Sequence, residues 1–157
     1  MRIITLVCAV LMSTAAVAET PAPPPSTYGS PIAMDDALAL VQHGIELSKK
    51  RGLKMAIAVV EPSGELVAFA RMDDVPYGSI TLAQQKARTS ARFRMTTANA
   101  EERVQNGRVA LLSADDFIAI GGGVPIVVND RVVGALGVSG ASAAEDAALA
   151  LAIVTQQ

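Results

Sequence analysis

Reactive side chains are sparse in this chain of 157 residues, and each can be weighed by itself. His43 is the only histidine, and a neutral imidazole is the commonest protein ligand for a transition metal. Met72 and Met95 offer thioether sulfurs, although methionine more often fills gaps in a core. Lys86 stands among Ala83, Ala87 and Ser90, small neighbours that mark a packed helix face. A packed ammonium needs an acidic partner, for which Asp73 and Asp146 are the candidates. Arg71, at the end of an apolar run, is a second cation. Glycines cluster at Gly121, Gly122 and Gly123 and again at Gly134, Gly137 and Gly140, around two Val/Ile-rich runs. The N–H groups of Gly121–Gly123 and of Ser139-Gly140 could offer donors to an anion. The same glycines could instead only let two backbones approach closely.

Other chemistries are excluded or weak. Cys8 is the only cysteine and falls in a segment expected to be removed, so disulfides and thiolate sites are ruled out in the mature chain. No HExxH, P-loop or dinucleotide fingerprint occurs. Gly137-Val138-Ser139-Gly140 lacks the strand-to-helix context of a nucleophile elbow. The acidic pairs Glu101-Glu102 and Asp115-Asp116 read as solvated faces, because adjacent carboxylates on a helix diverge.

The elements that must position these residues follow from periodicity and turn chemistry. Arg2, the apolar run Ile3–Met12 and Ala16-Val17-Ala18 fit a secretory signal, with cleavage expected after Ala18. Residues 19–31 form a Pro-rich leader, expected to be extended and poorly packed, and residues 32–157 a single domain. Removing Arg2 leaves 12 Lys and Arg against 15 acids, 12 − 15 = −3, which gives nucleic acid no electrostatic footprint. Export without disulfides points to a bacterial periplasm or the cell exterior, and no later run is long enough to cross a membrane. An Ala- and Val-rich interior of small side chains suits packing against further copies, so a homo-oligomer is expected.

A helix is expected from Asp35 to Arg51, with Met34, Leu38, Val41 and Ile45 as its buried stripe. That phase groups His43 with Asp36, Leu40 and Lys50 and turns it outward, toward solvent or a subunit interface. Met55–Glu61 and Leu66–Met72 read as a strand hairpin about Pro62-Ser63-Gly64. Residues 73–78 (DDVPYG) form a loop bearing Tyr77, Ser79 an N-cap for a helix through Ala91, and Thr96 or Thr97 the start of another through Arg103. Asn129-Asp130 is the turn of a second hairpin, since both residues tolerate positive φ. A closing helix is expected over Ser142–Val154. The order α-β-β-α-α-β-β-α gives an α+β fold, an antiparallel sheet with helices packed on it.

Several of these segments together resemble the GlcG/HbpS family, whose domain is described as haem-degrading. They are IAVVEPSGELVAFARMD (Ile57–Asp73), Lys86-Ala87-Arg88-Thr89, GGGVPI (Gly121–Ile126), and GALGVSG (Gly134–Gly140) followed by Asp146. The resemblance covers Met34–Val154 and implies a profilin-like fold with a five-stranded antiparallel sheet, usually in higher oligomers. Only four strands are read above, which places a hidden edge strand around Leu111–Ile120. The resemblance also implies non-covalent binding of haem or another tetrapyrrole in exported members, for scavenging or sensing. The axial ligand would then be His43 or the Tyr77 phenolate, an oxygen able to hold ferric haem. The alternative is an enzyme or binding protein for a small carboxylate or carbonyl compound. It would use Arg71, Lys86 and the amides of Gly121, Gly122, Gly123, Ser139 and Gly140.

Overall fold

The computed structural model describes residues 27–155. The expected signal segment and most of the Pro-rich leader lie outside the described residues. Ten elements follow in order: β1 (Thr27–Tyr28), α1 (Met34–Lys50), β2 (Ala56–Val60), β3 (Leu66–Arg71), α2 (Gly78–Phe93), α3 (Thr97–Gln105), a 3-10 helix (Val109–Ser113), β4 (Gly123–Val128), β5 (Arg131–Ser139) and α4 (Ala143–Thr155).

β5 is the centre of the sheet. It pairs antiparallel with β2 over Ala135–Ser139 and with β4 over Arg131–Gly137, while β3 pairs antiparallel with β2. β1 pairs in parallel with Arg131 and Val132, residues that β4 also pairs. β1 and β4 therefore lie on opposite sides of β5, and β1 shares an edge with β2. The fold is α+β with five strands, as expected, and one strand pair is parallel. The fifth strand is not hidden at 111–120. That stretch opens on a 3-10 helix with no buried residue, and the fifth strand comes from the end of the leader.

Alternation along the strands assigns two cores. Ala56, Ala58, Val60 and Ala135 face α2, against Ala83, Ala87 and Ala91. Ile57, Val59, Leu136 and Val138 face α1 and α4, against Leu40, Val41, Leu149 and Ile153. The turn between β4 and β5 has φ of 49° at Asn129 and 59° at Asp130, the pattern of a type I′ hairpin. Thr96 caps α3 by accepting from the Asn99 N–H, and Ser142 and Glu145 form a reciprocal box at the start of α4. Ser79 does not cap α2. It is buried in the first turn, and Tyr77 holds the cap position without a side-chain bond.

α1 is rotated from its expected phase. Its buried residues are Ala37, Leu40, Val41, Gly44 and Ser48, while Met34 is 60% exposed and Leu38 49%. Size is the reason: a Cβ on Gly44 would lie 2.8 Å from Ile57 Cδ1 and 2.9 Å from Ile153 Cδ1. The helix thus seats Ala37, Gly44 and Ser48, with Leu40 and Val41, on the interior, and Met34 and Leu38 turn outward.

α2 lies as close to the opposite face. A Cβ on Gly137 would meet Ala83 O at 2.1 Å, and one on Gly123 would meet Lys86 O at 2.3 Å. These two glycines are register partners, so helix backbone rests directly on strand backbone. Gly137→Ala is therefore expected to cost about 3 kcal/mol or to prevent folding, the upper range for overpacking. Gly78→Ala, in a helical turn with nothing within 4 Å of the added methyl, should instead gain about 0.4–1 kcal/mol. Urea unfolding of the two variants checks both signs.

Candidate functional site

The structure divides the candidate residues among three places. The first is an internal ion pair. Lys86 and Asp146 are 1% and 2% exposed, with Lys86 Nζ donating to Asp146 Oδ2 at 2.7 Å and to Val138 O at 3.2 Å. Asp146 also accepts from the Ala141 N–H at 3.1 Å, and the Gly140 N–H further stabilises its charged form. Burial nevertheless dominates and raises the Asp146 carboxyl above its ordinary value of 3.8, against the pull of Lys86.

The ion pair joins a helix on one face of the sheet to a helix on the other. It passes Gly122, whose φ is 126° and whose Cβ would meet Lys86 Nζ at 2.9 Å and Val138 O at 2.7 Å. The neighbouring amides are already bonded within the chain. Gly121 N–H donates to Glu101 at 2.9 Å and Gly123 N–H to Thr97 Oγ1 at 2.8 Å. A Cβ on Gly140 would lie 2.1 Å from Lys54 O, and Ser139 is buried in register with Ala56. The small-carboxylate reading needs a free cation and free amides here. The chain's own Asp146 is the carboxylate that Lys86 and Gly140 hold, and Gly121 and Gly123 serve packing and internal bonds.

The second place is an exposed corner. Arg71, at the end of β3, has its guanidinium over the Tyr77 ring at 5.9 Å, and Tyr77 is 81% exposed. Lys54 and Asp74 form an ion pair on the exposed surface. Arg71 therefore does not join Lys86, and Tyr77 does not face an enclosed volume. Met72 is occupied as well, its sulfur accepting from the Met55 N–H at 3.4 Å.

The third place is a cavity of about 780 Å³ beneath α1. Asp36, Ala39, Leu40 and His43 of α1 form one wall, Ile126, Val128 and Val133 of β4 and β5 the floor, and Ser30–Ala33 the remaining side. Its size falls in the range of small-molecule and cofactor sites, roughly 300–1,000 Å³, and its walls are mostly apolar. His43 is half-buried, and its Nε2 is shielded from water without a hydrogen-bond partner. The rotation of α1 explains this placement: once Leu40 turns inward, His43, three residues on, follows it to the cavity wall. Sequence reasoning grouped His43 with Asp36 and Leu40 correctly but turned that face outward. Among the described residues there is no cluster of three or more His, Cys, Asp or Glu suited to a metal ion, so Glu101-Glu102 and Asp115-Asp116 form none. No described helix is long and apolar enough to cross a membrane.

The ion pair predicts a definite energetic pattern. Asp146→Asn strands a buried ammonium and should cost about 3–5 kcal/mol. Adding Lys86→Met should recover most of that loss, because the Asn oxygen still accepts the backbone N–H groups. Chemical denaturation of the two variants and the wild type measures both the loss and its recovery.

Comparison with known proteins places the chain. Protein GlcG of Escherichia coli K12 is 41% identical over 103 residues, 66% of this chain and 77% of that protein. A double mutant of Streptomyces reticuli HbpS superposes with a TM-score of 0.76 at 24% identity, covering 90% of this chain and 98% of the other. The PduOC–haem complex gives 0.73 at 22% identity, over 81% and 95% of the two chains. The family model described as haem degrading protein HbpS-like matches residues 32–155, and the chain accordingly belongs to the HbpS-like family.

Proposed function

We propose that this protein binds haem non-covalently in the cavity beneath α1, with His43 as an axial ligand. The observation that carries the reading is His43 on the wall of a mostly apolar cavity of about 780 Å³, with its Nε2 buried and without a partner. A buried polar atom left unpaired costs roughly 1–3 kcal/mol, and a bound group that engages it removes that cost. The apolar walls suit the faces of a macrocycle, and PduOC, which shares this fold, forms a complex with haem. Haem iron supplies a Lewis-acid centre that accepts the electron pair of a neutral imidazole. Asp36 is the carboxylate of the lining, and its charge would disfavour propionates placed beside α1.

Export and self-association complete the reading. The pattern over residues 1–18 supports a periplasmic or secreted protein, in which haem would be scavenged or sensed. Exposed Met34 and Leu38 on α1, with Val127 and Val128 on the β4 edge, favour burial against another copy.

Haemin titration of residues 19–157, followed by absorbance, tests the proposal. A saturable, shifted Soret band is expected. His43→Ala should alter that spectrum and weaken binding by more than the 10- to 100-fold typical of losing an outer-shell partner. Tyr77→Phe should leave it unchanged, because Tyr77 stands outside the cavity. An unaltered spectrum in His43→Ala, or no saturation in the wild type, contradicts the proposal.

A further inference from the structure

The third side of the cavity, beside β5, is not a helix or a strand. It is Ser30–Ala33, the last residues before α1. Such a wall is only as fixed as its attachments, and these are few. Gly29 N–H donates to Val132 O at 2.9 Å and Ile32 N–H to Val133 O at 2.8 Å, while Pro31 has no N–H to give. β1, which leads into this strap, is two residues long and pairs only with Arg131 and Val132.

One side chain reaches beyond this edge. Tyr28 OH lies 2.7 Å from Arg92 O and 3.1 Å from Ala91 O, carbonyls in the last turn of α2. Those carbonyls have no acceptor role left inside the helix, and the phenol supplies the missing donor. The Tyr28 ring also carries the Arg94 guanidinium at 5.1 Å. Arg94 is the residue after α2, held at φ 51°. Tyr28 thus ties the strap on one side of β5 to the helix that lies across the sheet face opposite the cavity.

We infer that Tyr28 is a positioning residue for the binding cavity: its phenol clamps the strap Ser30–Ala33 against β5 and keeps a bound ligand from leaving on that side. The inference rests on the haem reading above and adds a residue that touches neither ligand nor cavity. The strap opens by releasing the Gly29 and Ile32 backbone bonds, the phenol bond of Tyr28 and the packing of Ile32 on the core, hinging at Ala33, which caps α1. Ligand release and strap opening are then the same event.

Tyr28→Phe isolates the clamp, because it removes the hydroxyl and keeps the ring under Arg94. Loss of one hydrogen bond corresponds to about a 2- to 12-fold change, expected as faster haemin dissociation. Amide exchange at Gly29 and Ile32 should accelerate by a similar factor, while exchange in β2 and β5 at Ala135–Ser139 stays as in the wild type. His43→Ala serves as the contrast, altering the Soret band without changing exchange at Ile32. Wild-type haemin release or Ile32 exchange in Tyr28→Phe, with haemin binding intact, overturns the inference alone. Failure of the wild type to bind haemin overturns the reading it rests on, and the inference with it. A uniform rise in exchange across the sheet also overturns it, because Tyr28 would then support the whole fold.

Discussion

A buried lysine that must find an anion organises one end of this molecule. Lys86 sits on α2, Asp146 on α4, and these helices cover opposite faces of the sheet. The ammonium reaches the carboxylate only if the chain beside it has no side chain, the condition met at Gly122. It reaches the right depth only if α2 lies on the sheet at backbone distance, the condition met at Gly123 and Gly137. Charge pairing, the glycine run and the alanine-rich face of α2 are therefore one constraint. An ion pair this deep is weak evidence for net stability, yet removing one partner alone is costly, so the arrangement holds the two helical layers together as a unit.

The consequence for function is a division of the sheet. At the Lys86 end the ammonium and the amides of Gly121 and Gly123 already have acceptors within the chain. Under α1 the balance differs. There the helix packs through Ala37, Gly44 and Ser48 against the interior, and the N-terminal strap, instead of a full element, closes the remaining side. Space is left between α1, the ends of β4 and β5, and the strap, with a histidine nitrogen that has no partner. Closed at one end and hollow at the other, the same fold carries both a rigid brace and a place to bind.

Much of this was legible in the sequence. The four main strands, the four α-helices and the Asn129-Asp130 turn follow from periodicity and turn chemistry. The small residues around Lys86 marked it as buried and in need of Asp73 or Asp146, and Asp146 is the partner. The phase of α1 was not legible, because hydrophobicity favours Met34 and Leu38 whereas close packing favours Ala37 and Gly44. Only the neighbouring Ile57 and Ile153, distant in sequence, decide between them. The fifth strand escaped because two residues, Thr27 and Tyr28, carry no periodic signal. The glycine amides looked free because their acceptors, Glu101 and Thr97, come from another helix. Local pattern is read from the chain, whereas long-range satisfaction of donors is set by the packed whole.

The central claim is the location of the ligand, so the most direct measurement is a crystal structure of the protein grown with haemin. The account predicts a macrocycle between α1, the β4–β5 floor and the strap, with iron bonded to His43 and the Lys86–Asp146 pair unchanged. Iron held by Tyr77 or a methionine, or a macrocycle seated away from this cavity, would contradict it.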